Sequence, residues 1–251
     1  YWELPRRRQL CLMPSYRGEA LVSSFAGPFL SEGETSFADR DVDDVISMLS
    51  VVLMQYVDID DARVAAWGIS RGGATAMLLK ARDPRVRRVV DLFGFTDLSL
   101  PSVQAEAFDI VNNGATPTGI GRVIYEAAVS PWLNGTMTLG EARLAWIRRS
   151  PVFFVDNLAP IQIHHGLQDL SVEPAHSISL LDQLSALNLP AGEVEGYLYP
   201  NGAHGLSSLV GQGPRVESFL CDLQLGPSGY CGPMSANTLG LVASADYRGS
   251  G

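Results

Sequence analysis

Short apolar runs alternate along the chain with longer stretches in which apolar residues recur every three or four positions. The short runs are Gln9–Met13 (ended by Pro14), Ala62–Trp67, Arg88–Phe93, Pro160–His165 and Gly196–Tyr199, and they read as strands. Between them, Asp41–Val57 carries Val42, Val45, Ile46, Leu49, Val52 and Leu53 on one helical face. Asp39, Asp41, Asp43 and Asp44 crowd its start, where a helix dipole favours negative charge. Gly72–Arg82 is helical by composition and stopped by Asp83-Pro84. Glu173–Leu187 presents Ile178, Leu181, Leu184 and Leu187 on one face, and Leu206–Leu220 predicts a last helix. Strands alternating with helices predict βαβ units, hence an α/β fold with a mainly parallel sheet and helices on both faces. Between about 98 and 150 the alternation breaks into short helical pieces holding Trp132 and Trp146, which predicts a small helical insertion over one edge of the sheet. The pattern predicts one domain over 1–225 and, from its Gly/Ser/Pro content, an irregular arm over 226–251.

Composition narrows the classes of function. A chain of 251 residues is long enough for one substantial core, and 46% hydrophobic with 18% charged residues excludes disorder as a general description. The net charge of −9 argues against a nucleic-acid or anionic-membrane partner, since both need clustered positive charge. No apolar run reaches the roughly 18 residues of a membrane span. Arg6-Arg7-Arg8 reads as a solvated surface run. Three cysteines do not make a disulfide scaffold. Cys11 lies in an apolar run and reads as core. Cys221 and Cys231 are either two unrelated thiols or a local disulfide. The disulfide would imply a secreted or periplasmic protein, and its absence a cytoplasmic one.

The chemistry centres on Gly68-Ile69-Ser70-Arg71-Gly72-Gly73, between a predicted strand and a predicted helix. Gly-x-Ser-x-Gly in that context is a nucleophile elbow, where glycines let a sharp strand-to-helix turn lift the serine hydroxyl above the sheet edge. The bare motif is weak in a chain with 25 glycines, and its alternative reading is a turn with Ser70 as helix N-cap. A nucleophilic serine needs a base. Of the four histidines, His204 sits in a loop after a strand, flanked by Gly202 and Gly205. His164 and His165 end a strand and read as core, and His176 reads as a solvated helix residue. The acid that orients the base follows the strand Pro160–His165 directly, at Asp169. Asp97 also follows a strand, and its alternative role is a turn or cap residue. The order Ser70, Asp169, His204 is the one that α/β-hydrolases use.

These segments together resemble the α/β-hydrolase superfamily, most closely the prolyl-oligopeptidase-type catalytic domain and the dienelactone-hydrolase-like esterases. The resemblance rests on Pro14-Ser15-Tyr16-Arg17-Gly18, the elbow, Ser150-Pro151, His165-Gly166-Leu167-Gln168-Asp169 and Gly202-Ala203-His204-Gly205. It implies a serine hydrolase with Ser70, Asp169 and His204 as triad, acting on carboxylic esters or, alternatively, on short peptides. A non-catalytic homologue used for binding is the remaining alternative. The Arg71 N–H is the expected oxyanion donor and Tyr16 a second candidate. Such domains carry a further strand and loop ahead of the Tyr-Arg-Gly segment, so the chain is expected to lack its first strands. Phe95, Trp132 and Trp146 are expected to line an apolar substrate pocket beneath the insertion. No phosphate-binding or dinucleotide motif and no cluster with metal-ligand spacing is found, so neither cofactor nor metal is implied.

Overall fold

The computed structural model describes residues 9–23, 27–56, 59, 61–225 and 238–244. Among these, six strands form one sheet in the order β1 (Gln9–Leu12), β8 (Thr238–Ser244), β4 (Val64–Ile69), β5 (Val86–Leu92), β6 (Ile161–Gly166) and β7 (Val194–Tyr199). Every neighbouring pair is parallel. A two-stranded antiparallel ribbon, β2 (Ala20–Ser23) with β3 (Gly27–Leu30), stands apart from it.

Both faces of the central strands are covered, which is why β4 is apolar almost throughout rather than alternating. On one face Val64 and Ala66 join the main core with residues of α1 (Arg40–Gln55), α2 (Arg71–Arg82) and α7 (Ala175–Ala186). On the other, Ala65 and Trp67 pack with Phe219 and Leu220 of α8 (Gln212–Leu225). The insertion is built from α3 (Pro101–Asn113), α4 (Gly119–Ile124), α5 (Ser130–Leu133) and α6 (Leu139–Ile147). A π-helical turn, Tyr125–Val129, joins α4 to α5. Its apolar residues divide. Val103, Ile120, Val123 and Ile124 enter the main core, while Phe108, Trp132, Leu133 and Leu144 are exposed.

The α/β architecture matches the pattern of the sequence, and four details differ from it. The last helix is interrupted: a 3-10 turn at Leu206–Ser208 is separated from α8 by Gly211 at φ 80, a conformation that stops a helix. The arm expected to be irregular contributes β8 at 238–244, inserted between β1 and β4. The β2–β3 ribbon has no counterpart among the expected strands. Finally, the inward face of α7 only partly coincides with the expected one, for Leu181 and Leu187 do pack against the core. His176, Ser177, Leu180 and Leu184 are buried, whereas Ile178 is exposed. The Cys221–Cys231 alternative and the Arg6-Arg7-Arg8 run lie outside the described residues, as does the side chain of Cys11.

Candidate active site

Ser70 ends β4 at the point where α2 begins. Its φ of 55 and ψ of −123 lie outside the regions that side-chain-bearing residues favour, a strain of the kind that collects at functional turns. Glycines make the turn possible. A Cβ on Gly68 would come within 1.9 Å of the Gly72 carbonyl oxygen, and one on Gly73 within 2.1 Å of Asp91 Oδ1. The Ser70 N–H donates to the Leu92 carbonyl at 2.9 Å, tying the turn to β5.

Two loops from the same sheet edge complete the set. Asp169 follows β6 and His204 follows β7. Ser70 Oγ lies 3.0 Å from His204 Nε2, and His204 Nδ1 lies 2.7 Å from Asp169 Oδ2. A carboxylate only accepts, so Nδ1 carries the proton and Nε2 is free to accept from the serine. Asp169 is 2% exposed. Its Oδ1 accepts the N–H groups of Ser171 at 2.8 Å and Val172 at 2.9 Å. Burial alone would raise its carboxyl. The nearby His165 imidazole and the hydrogen bonds from His204 and the Val172 N–H outweigh that and hold it well below the usual carboxylate range. The ring of Phe93 meets the His204 imidazole edge-on with centroids 4.6 Å apart, and Phe93 itself is held at φ 47.

The loops are fitted together glycine against glycine. A Cβ on Gly166 would come within 2.3 Å of the Gly202 carbonyl, and one on Gly202 within 2.8 Å of Gly166 Cα. Two backbone bonds close the joint, Leu167 N–H to Tyr199 O and Gln168 N–H to Gly202 O, both at 2.8 Å.

Arg71 carries two features. Its backbone opens α2, where N–H groups lack partners within the helix. Its side chain is buried between the rings of Tyr16 and Phe37, at 4.5 and 4.3 Å, and bridges Asp41 at 2.8 Å and Glu19. Asp41 therefore does more than face a helix dipole, since it also accepts the Ala38 N–H. Tyr16 packs within the same stack. It is 4% exposed, its hydroxyl is sealed within this stack, and burial pushes the phenol up to about 12. Its ring packs on the Arg71 guanidinium.

The remaining candidates separate. Asp97 Oδ1 accepts the Ser99 N–H and hydroxyl, a turn role, and His204 is instead paired with Asp169. His164 and His165 are core residues as expected. His176, expected in solvent, is 1% exposed, and its Nδ1 accepts the Thr96 and Asp97 N–H groups at 3.3 Å each. The signal for this was its i, i+4, i+8 spacing with Leu180 and Leu184. Of the pocket candidates, Phe95 lies within the main core, Trp146 packs against that core and Trp132 is exposed, so they occupy three different settings. Among the described residues no group of histidine, cysteine and acidic side chains is arranged to hold a metal ion. Nor is any helix there long and apolar enough to cross a membrane.

Comparison with known proteins bears on the fold. The model of the prolyl oligopeptidase family matches residues 10–114. A puromycin-hydrolysing peptidase of Mycobacterium tuberculosis superposes with a TM-score of 0.53 at 21% identity, covering 74% of this chain and 26% of that one. An acylaminoacyl peptidase of Pyrococcus horikoshii gives 0.54 at 18% identity, covering 80% and 32%. Acetyl xylan esterase 1 from Thermoanaerobacterium gives 0.52 at 17% identity, covering 83% and 64%. The chain thus spans about a quarter to a third of these peptidases and less than two thirds of the esterase. No curated protein sequence matches it. The sheet and its covering helices give the chain the α/β-hydrolase fold, and over residues 10–114 it is similar to the prolyl oligopeptidase family.

Proposed function

We propose that the chain hydrolyses carboxylic esters through an acyl-enzyme on Ser70, with His204 as base and Asp169 as the acid that orients it. The observation that carries this reading is the continuous hydrogen-bonded line from Ser70 Oγ through His204 to Asp169. His204 Nε2 takes the hydroxyl proton as Oγ attacks the carbonyl carbon. The imidazolium that forms is stabilised by the Asp169 carboxylate. The developing oxyanion is met by the Arg71 N–H at the helix start. Collapse breaks the bond to the leaving alkoxide, which receives the proton from His204. Water, activated by the same imidazole, then releases the acid and restores Ser70.

Ester chemistry is favoured because the neighbour matched over the larger part of its own length is an esterase. The peptidase reading is supported by the family match and by the peptidase neighbours. A fluorophosphonate probe is expected to label the native protein at Ser70 and to leave Ser70→Ala unlabelled. Hydrolysis of p-nitrophenyl acetate and of an N-acyl peptide p-nitroanilide, measured side by side, separates the two chemistries. Faster turnover of the anilide would make the peptidase reading the correct one. No labelling and no turnover of either substrate would leave only a binding role.

A further inference from the structure

We propose that His165 is a positioning residue for the acid: its imidazole holds the same Asp169 oxygen that His204 uses. This rests on the Ser70–His204–Asp169 reading above. His165 is fully buried on β6, four residues before Asp169. Its Nε2 lies 2.9 Å from the Val172 carbonyl oxygen and 3.5 Å from Asp169 Oδ2. Both partners only accept, so Nε2 carries the hydrogen and donates toward both. Nδ1 is left as an acceptor, and the Ser177 hydroxyl donates to it at 2.6 Å.

The contacts close a ring. The Val172 N–H donates to Asp169 Oδ1 while the Val172 carbonyl accepts from His165, and His165 reaches the other carboxylate oxygen. A carboxylate held from both ends cannot rotate away from His204. The opposite tautomer would set a lone pair against two acceptors, the Val172 carbonyl and the Asp169 carboxylate. The other ionisable groups around this ring are Asp91 on β5, Asp97 in the loop after β5, His176 on α7 and His204 itself. Asp91 lies opposite Ile163 in the sheet, and therefore on the face of β6 that carries His165.

Each donor to Asp169 draws charge from the carboxylate. Removing one leaves a more basic acid, which stabilises the protonated form of His204 and moves the acid limb of the rate profile to higher pH. The test compares the native protein with His165→Leu, His165→Gln and Ser177→Ala, measuring kcat and KM for p-nitrophenyl acetate against pH, with fluorophosphonate labelling in parallel. His165→Leu is expected to raise the acid limb by roughly half a pH unit and to lower kcat on the order of tenfold, with KM unchanged. His165→Gln retains an N–H donor and recovers part of the loss. Ser177→Ala shifts the limb in the same direction by less. A folded His165→Leu with an unmoved limb overturns the proposal, because a purely structural role lowers the melting temperature without moving the profile. Should that variant not fold, an unmoved limb in Ser177→Ala overturns it equally. Failure of the native protein to label at Ser70 is a separate result and sinks the triad itself.

Discussion

The carboxyl of Asp91 takes no part in the proposed chemistry, yet it is fully buried against the elbow. Oδ1 accepts the Gly94 N–H at 2.9 Å, Oδ2 has no hydrogen-bond partner, and burial pushes the group up to about 7. A carboxyl whose folded value is raised contributes stability below its unfolded value of about 3.9, and that contribution is lost as pH rises through 7. Asp91→Asn keeps the acceptor for Gly94 and removes the ionisation. Its melting temperature should exceed that of the native protein at pH 8 by roughly 2–4 °C and converge with it below about pH 4. Scanning fluorimetry at the two pH values checks this, and equal melting temperatures at pH 8 would count against it. At this scale the sequence was legible where a motif names the residue. Ser70, Asp169 and His204 were singled out, and the three are within hydrogen-bond distance of one another in line. The Arg71–Asp41–Glu19 cluster was not, because nothing local marks a charge whose partner arrives from a distant segment.

At the scale of elements, the glycines divide by what surrounds them. Gly68 faces backbone at 1.9 Å, where nothing can give way, whereas Gly205 has open space around its Cα. Gly68→Ala is therefore expected to cost more than about 3 kcal/mol or to prevent folding, and Gly205→Ala to change stability by under about 0.5 kcal/mol. Urea unfolding of both variants measures the contrast, and similar midpoints would show that the elbow relaxes more easily than its contacts suggest. Strands and helices of the main fold were legible from periodicity because each buries a face against the same sheet. The inward face of α7 was legible only in part: Leu181, Leu184 and Leu187 pack on the core as expected, but Ile178 is exposed and the buried stripe also includes His176 and Ser177. A polar residue that finds its partners inside leaves no hydrophobic mark. Likewise β8 lies in a Gly/Ser-rich region whose strand character depends on the neighbours that flank it, β1 and β4.

Across the whole molecule, two further histidines set the response to acid. His164 accepts from the Tyr199 hydroxyl and donates to Gln162 Oε1, both at 2.8 Å, within a line that runs from Arg215 to Glu195. Burial pulls His164 down to about 4, as it does His176 on the opposite face. Groups whose folded values are lowered contribute stability above the unfolded value of about 6.5, and it is lost as pH falls toward 4. The melting temperature should fall steadily over that interval, and a flat profile from pH 7 to pH 4 would contradict it. The joint between Gly166 and Gly202 has a mechanical consequence. Asp169 and His204 ride on one stiff body, the loops after β6 and β7, locked by backbone contact. Ser70 rides on β4, with β5 between. The bond from His204 to Asp169 is thus internal to a rigid block, while the one from Ser70 to His204 spans three strand-to-strand joints and follows any shear of the sheet. Warming or pressure should slacken the nucleophile first, leaving base and acid still paired.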